Sequence, residues 1–95
     1  NQDIGDWNTS SVTDMSRIFW DAVVFNQDIG GWTVDSVTDM YSMFKYAASF
    51  NQDISGWNVS SVTNMTHMFD GATSFNQDII SNWDTDQVVS DTEDY

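Results

Sequence analysis

Phe25-Asn26-Gln27-Asp28-Ile29, Phe50-Asn51-Gln52-Asp53-Ile54 and Phe75-Asn76-Gln77-Asp78-Ile79 are the same five residues written three times, and the chain opens on Asn1-Gln2-Asp3-Ile4, the phrase without its Phe. The copies begin at Asn1, Asn26, Asn51 and Asn76, a constant spacing of 25 residues. A fixed period of that length marks a repeat array, in which each unit buries its apolar face only against its sequence neighbours. The 95 residues therefore count as three full units and a partial fourth. That is near the minimum from which such an array is stable.

Residues 26–50, NQDIGGWTVDSVTDMYSMFKYAASF, serve as the reference unit. Its second half places Val37, Met40, Met43, Phe44 and Ala47 at offsets of 0, 3, 6, 7 and 10. These offsets describe one stripe of an α-helix. The unit before repeats the stripe as Val12, Met15, Ile18, Phe19 and Ala22, and the unit after as Val62, Met65, Met68, Phe69 and Ala72. Ser11, Ser36 and Ser61 precede the stripes, with Asp14, Asp39 and Asn64 three residues on, which reads as a capping-box variant opening a helix of about three turns. Helices so short are marginal alone and need their neighbours.

The first half of the unit predicts a strand of three to five residues, with Phe50, Gln52 and Ile54 on one face and Asn51 and Asp53 on the other. Asn and Asp are poor strand formers, so only stacking on identical neighbours makes this strand tenable. The parity also turns Gln52 inward, which calls for a column of Gln hydrogen bonds or for a bulge. Trp7, Trp32, Trp57 and Trp83 recur after each phrase and read as a buried aromatic column. Ile80 is inserted before Trp83, and the pattern then decays, with Asp91 where a Met is due. One strand and one short helix in 25 residues fall in the leucine-rich-repeat range of roughly 20–29. The expected fold is an α/β solenoid, a leucine-rich-repeat-like right-handed stack of strand-plus-short-helix units. It forms a single array over residues 1–89, with 90–95 as an acidic tail or partial cap.

Fifteen acidic residues against Arg17 and Lys45 give a formal net charge of −13. Such a surface repels nucleic acid and anionic membranes and suits a cationic partner, a metal ion or plain solubility. Cysteine is absent from the chain, which excludes disulfides and thiolate metal sites. The sequence has no apolar run approaching the roughly 18 residues of a membrane span, so no membrane insertion is expected of this fragment. A chain that starts within a repeat, without an initiator Met, is expected to be an excised or mature piece.

Val62-Thr63-Asn64-Met65, then Met68-Phe69-Asp70-Gly71-Ala72, Ser74-Phe75-Asn76-Gln77-Asp78-Ile79 and Trp83, together resemble the 26-residue repeat of bacterial surface proteins. That repeat belongs to the BspA-like leucine-rich repeats and is also catalogued as a Mycoplasma-lipoprotein-type domain of unknown function. The resemblance extends to about Val89. It departs from the family in its 25-residue spacing up to Ile80 and in a last unit that lacks the stripe. It implies a secreted or cell-surface protein that mediates adhesion or protein contacts, and it brings no catalytic residues.

Stacking turns each repeated residue into a column. Asp3, Asp28, Asp53 and Asp78 then stand about 5 Å apart, where bare carboxylates repel by roughly 0.8 kcal/mol even in water. Either backbone N–H groups of the adjacent turns offset this repulsion, or a calcium ion takes the carboxylates as ligands. Stacked Asn side chains are expected to hydrogen-bond in series. A Thr13, Thr38 and Thr63 column admits a remote reading as an ice-binding array. His67, the single histidine, lies on the solvent side without a nucleophile beside it, and the five Met belong to the core. The function expected is a non-enzymatic interaction or adhesion module at the cell surface, binding a protein or other extracellular macromolecule. Asn26, Asp28, Asn51 and Asp53 are its expected contact residues, and a calcium-stabilised structural stalk is the alternative.

Overall fold

The computed structural model describes residues 4–77 and Trp83. Asp3, Asp78, Ile80 and the tail 90–95 lie outside the described residues.

Consecutive units lie in register, residue over equivalent residue. Trp7, Trp32, Trp57 and Trp83 form one column with ring centroids 6.4 Å apart at each step and planes within 7° of parallel. Each inner Trp donates its indole N–H to the Ile carbonyl of the unit before: Trp32 to Ile4, Trp57 to Ile29 and Trp83 to Ile54, at 3.0–3.1 Å. Phe19, Phe44 and Phe69 stack at 5.4 and 5.5 Å. Phe25, Phe50 and Phe75 stack at 5.8 Å. The two Phe columns interlock within each unit at 4.1–4.3 Å. Met15, Met40, Met43, Met65 and Met68 fill the space beside them, buried with Ile29, Ile54 and the paired Val residues.

No described residue is helical, and regular pairing is limited to the parallel bridges Asp14 with Asp39 and Asp39 with Asn64. The segments whose apolar spacing predicts helices are ribbons of successive turns. In the middle ribbon, the N–H groups of Met43, Lys45 and Ala47 close turns onto the carbonyls of Met40, Ser42 and Phe44. The alternate N–H groups, of Met40, Ser42, Phe44 and Tyr46, leave the unit and bond the carbonyls of Asn64, Thr66, Met68 and Asp70 at 2.8–3.0 Å. Met15, Arg17, Phe19 and Asp21 bond Asp39, Tyr41, Met43 and Lys45 in the same way. The N–H of Tyr41 goes to the Asp39 carboxylate, so every N–H from Met40 to Ala47 has a partner.

Spacing explains why the helix loses. Packed helices need axes about 8–10 Å apart, whereas the ribbon-side Phe column repeats at 5.4 and 5.5 Å. The Trp side repeats at only 6.4 Å, so the stack does not fan out to make room for them. A ladder spacing near 4.8 Å suits extended or turn backbone, and it lets half of the N–H groups tie unit to unit. The apolar offsets of three also satisfy a chain of four-residue turns, each closed by a bond from residue i+3. Valine, Thr, Asp, Ser and aromatic residues, which dominate these segments, are weak helix formers.

This ribbon demands left-handed backbone at its turn corners. Arg17, Ser42 and His67 form one column with φ of 54–62°, and Asp21 and Tyr46 (φ 62°) with Gly71 (φ 76°) form a second. A positive φ at the third residue of a turn is the type II signature.

Side chains of the first unit are less covered than their equivalents in the second. Trp7 is 60 % exposed where Trp32 is 5 %, and Ile18 is 45 % exposed where Met43 is fully buried. An apolar cleft of about 320 Å³ opens there between Ile4, Trp7, Val12, Ile18 and Trp32.

Candidate binding faces

In the Phe-Asn-Gln-Asp-Ile phrases Phe25, Ile29, Phe50 and Ile54 are buried and Asn26, Asp28, Asn51 and Asp53 exposed, but the expected strand is not formed at residues 50–54, and Gln52, expected inward, is half-buried with its amide on Asn26. Their polar atoms are engaged within the stack. The Asn51 backbone N–H donates to the Asn26 side-chain oxygen at 2.8 Å, and Asn76 does the same to Asn51 at 2.9 Å. Gln52 donates its side-chain amide to the Asn26 side-chain and backbone oxygens, both at 3.1 Å, and Gln77 reaches Asn51 in the same manner. The column thus runs from Gln to Asn, not from Gln to Gln or through the Asn carboxamides in series.

The carboxylates fold back on their own chain. Asp28 accepts from the Gly30 N–H at 3.0 Å, and Asp53 accepts from the Ser55 N–H at 2.9 Å and from the Ser55 hydroxyl at 2.6 Å. Asp14, Asp39 and Asn64 make the same local turn onto Ser16, Tyr41 and Thr66. Side chains whose spacing predicts helix caps therefore close turns of the Asx kind. Ser36, the expected cap partner of Asp39, donates instead to the Ser10 carbonyl of the unit before. The Thr column is likewise internal, with Thr38 giving its N–H and its hydroxyl to Thr13, and Thr63 giving both to Thr38. Among the described residues no cluster of three acidic or His side chains has the arrangement of a metal site.

The Ser55 hydroxyl and then its N–H hold the Asp53 carboxyl below the ordinary range. Ser16 does the same for Asp14, with Arg17 adding a smaller pull. A lowered folded-state value means that folding favours the ionised form. The contribution is complete above the unfolded value of about 3.9 and is lost as pH falls through the lower folded value. Ser55→Ala is expected to move the Asp53 titration upward while leaving that of Asp14 in place, as read from carboxyl carbon shifts against pH. An unmoved Asp53 titration contradicts this turn assignment.

A second surface runs along the ribbons, and sequence reasoning passed over it. Arg17 lies 5.0 Å from the Tyr41 ring and 5.9 Å from the Trp20 ring. Lys45 sits 5.3 Å from the Tyr46 ring and 4.0 Å from Asp70. His67 faces Asp70 at 3.7 Å and meets the Tyr41 ring edge-on. Both Lys/Arg residues of the chain and its one His thus gather on this face. Trp20, which meets Arg17, and Tyr46, which meets Lys45, are both exposed. The left-handed residues Arg17, Asp21, Tyr46 and His67 also lie here, each costing about 1–2 kcal/mol that glycine avoids. The signal available in the sequence was variation between units: Arg, Ser, His at one column, Trp, Lys, Asp at another and Asp, Tyr, Gly at a third.

These features define a class, a repeat array whose recurring side chains are spent on binding one unit to the next. A family model described as "Mycoplasma protein of unknown function, DUF285" matches residues 1–95, and the chain belongs to that family. Neither the curated proteins nor the solved structures yield a match.

Proposed function

We propose that this chain is a non-enzymatic interaction or adhesion module of a surface-displayed protein. In this reading it is a right-handed, leucine-rich-repeat-like solenoid of the BspA type, with turn ribbons standing where the sequence predicts helices. The observation that carries the reading is the division of labour along the unit. Recurring residues such as Asn51, Trp57 and Phe44 bond or stack on their equivalents. Residues that change from unit to unit, such as Trp20, Lys45 and Asp70, stand on an outer face. A rigid frame presenting a changing surface is how solenoids serve as binding scaffolds. The partner is a protein or other extracellular macromolecule, and the charge of −13 disfavours nucleic acid.

The test is binding of the labelled chain to arrays of extracellular proteins and glycans, with and without a calcium chelator. Saturable binding that survives the chelator is expected, together with an unchanged thermal midpoint. Absence of binding on both arrays, with a midpoint that collapses on chelation, would favour the calcium-stabilised stalk.

A further inference from the structure

We infer that Asn8 and Asn58 are acceptor sites for an N-linked hexose, and that the fold withholds Asn64, which carries the same tripeptide signal. This rests on the reading of the chain as part of a surface-displayed protein. Three Asn-x-Ser/Thr tripeptides occur among the described residues: Asn8-Thr9-Ser10, Asn58-Val59-Ser60 and Asn64-Met65-Thr66. That pattern is the acceptor signal for N-glycosylation on exposed loops. Asn26, Asn51 and Asn76 fall outside it, because each has Asp two residues on.

Asn8 and Asn58 occupy one column, directly after Trp7 and Trp57, with Thr33 between them. The column is exposed in the middle unit too, at Thr33 and Asp35, as it is at Asn8, Ser10, Asn58 and Ser60. At both sites the Asn side-chain oxygen accepts the backbone N–H of the Ser two residues on, at 3.2 Å from Ser10 and 3.1 Å from Ser60. The Ser10 hydroxyl donates to the same Asn8 oxygen at 2.7 Å. These turns of the Asx kind hold carboxamide and hydroxyl side by side at the surface. The bonds fall on Oδ1, and among the described residues none engages Nδ2, the atom that carries the sugar. Stacking demands neither residue. In the middle unit Thr33 and Asp35 replace the Asn and the Ser together, while the Trp column runs on at 6.4 Å per step.

Asn64 makes the same local turn onto Thr66, but inside the ladder between units. It pairs with Asp39 in a parallel bridge, its carbonyl takes the Met40 N–H at 2.9 Å, and the Thr66 carbonyl takes the Ser42 N–H at 3.0 Å. Both residues are half-buried. A transferase that has to surround the tripeptide must first open these bonds. In the transfer, Asn Nδ2 bonds to the anomeric carbon of a hexose activated as its nucleoside diphosphate. The bond from that carbon to the diphosphate breaks, the nucleoside diphosphate leaves, and the Nδ2 proton passes to a base of the transferase. A neutral hexose leaves the charge of −13 unchanged, so the repulsion that opposes an added phosphate does not oppose it.

The experiment maps by mass spectrometry the protein isolated from the cells that make it, alongside protease shaving of the intact cells. Hexose is expected on the Asn8 and Asn58 peptides, with Asn64 bare. The unmodified folded chain is then treated with an asparagine glucosyltransferase and UDP-glucose. Relative to their rates in short free peptides, Asn58 should be labelled at least about tenfold faster than Asn64, which the ladder protects. Ser60→Ala should abolish labelling at Asn58 and leave that at Asn8. Sugar on all three asparagines, or equal relative rates at Asn58 and Asn64, overturns the selection by the fold. Bare Asn8 and Asn58 on a protein that shaving removes from the cell surface overturn this inference alone. Bare asparagines on a protein that shaving does not reach sink the surface reading as well.

Discussion

Phe44→Ala is expected to cost about 3–5 kcal/mol, the range for emptying a large aromatic site in a packed core. Phe44 is fully buried, 4.2 Å from Phe50 and between Phe19 and Phe69 at 5.4 and 5.5 Å. The site has little freedom to collapse, because the Phe44 N–H is bonded to Met68 and the Phe19 N–H to Met43. A chain of this size has roughly 5–15 kcal/mol of total stability, so the loss is a large part of it. At about 4–8 °C per kcal/mol, the thermal midpoint should fall by roughly 12–40 °C. Ile18→Ala is the matched control. Its position is equivalent to the buried Met43 but is 45 % exposed, and about 1 kcal/mol or less is expected. Similar losses at the two sites would contradict the stacked core.

The adjacent glycines Gly30 and Gly31 should respond in opposite directions. A Cβ on Gly30 would stand 2.6 Å from the Asp53 carbonyl oxygen of the next unit, and that atom belongs to backbone. Gly30→Ala therefore has to push two units apart, at about 1–3 kcal/mol for overpacking. A Cβ on Gly31 would meet nothing within 4 Å, and Gly31 has no positive φ. Gly31→Ala should stabilise by about 0.4–1 kcal/mol through the unfolded chain. Chemical denaturation of the two variants decides it. Equal effects would mean that the units do not approach one another at Gly30.

Much of this arrangement is legible in the residues. The period of 25 puts Trp over Trp and Phe over Phe, and the alternation in Phe50-Asn51-Gln52-Asp53-Ile54 gives the faces of its side chains. The ribbons are not legible, because Val37, Met40, Met43, Phe44 and Ala47 have a spacing that helix and turn chain share. What separates the two is the destination of alternate N–H groups, and that depends on a neighbouring unit whose rings lie 5.4–6.4 Å away. The left-handed corners were hidden for a related reason. Of the six residues at them, only Gly71 is a glycine, the residue without the Cβ that such a corner penalises. Asp28 and Asp53 drew attention as an unexplained column of charge, yet each is accounted for by the turn it closes onto Gly30 or Ser55. The ribbon face is not legible in the repeat because its positions vary from unit to unit.

The through-hydrogen-bond scalar coupling between backbone nitrogen and carbonyl carbon in the labelled chain distinguishes ribbon from helix bond by bond. Stacked turn ribbons predict that the Phe44 nitrogen couples to the Met68 carbonyl carbon, and the Ser42 nitrogen to that of Thr66. Coupling of the Phe44 nitrogen to the Met40 carbonyl carbon, the bond of an α-helix, would contradict the stacked ribbons.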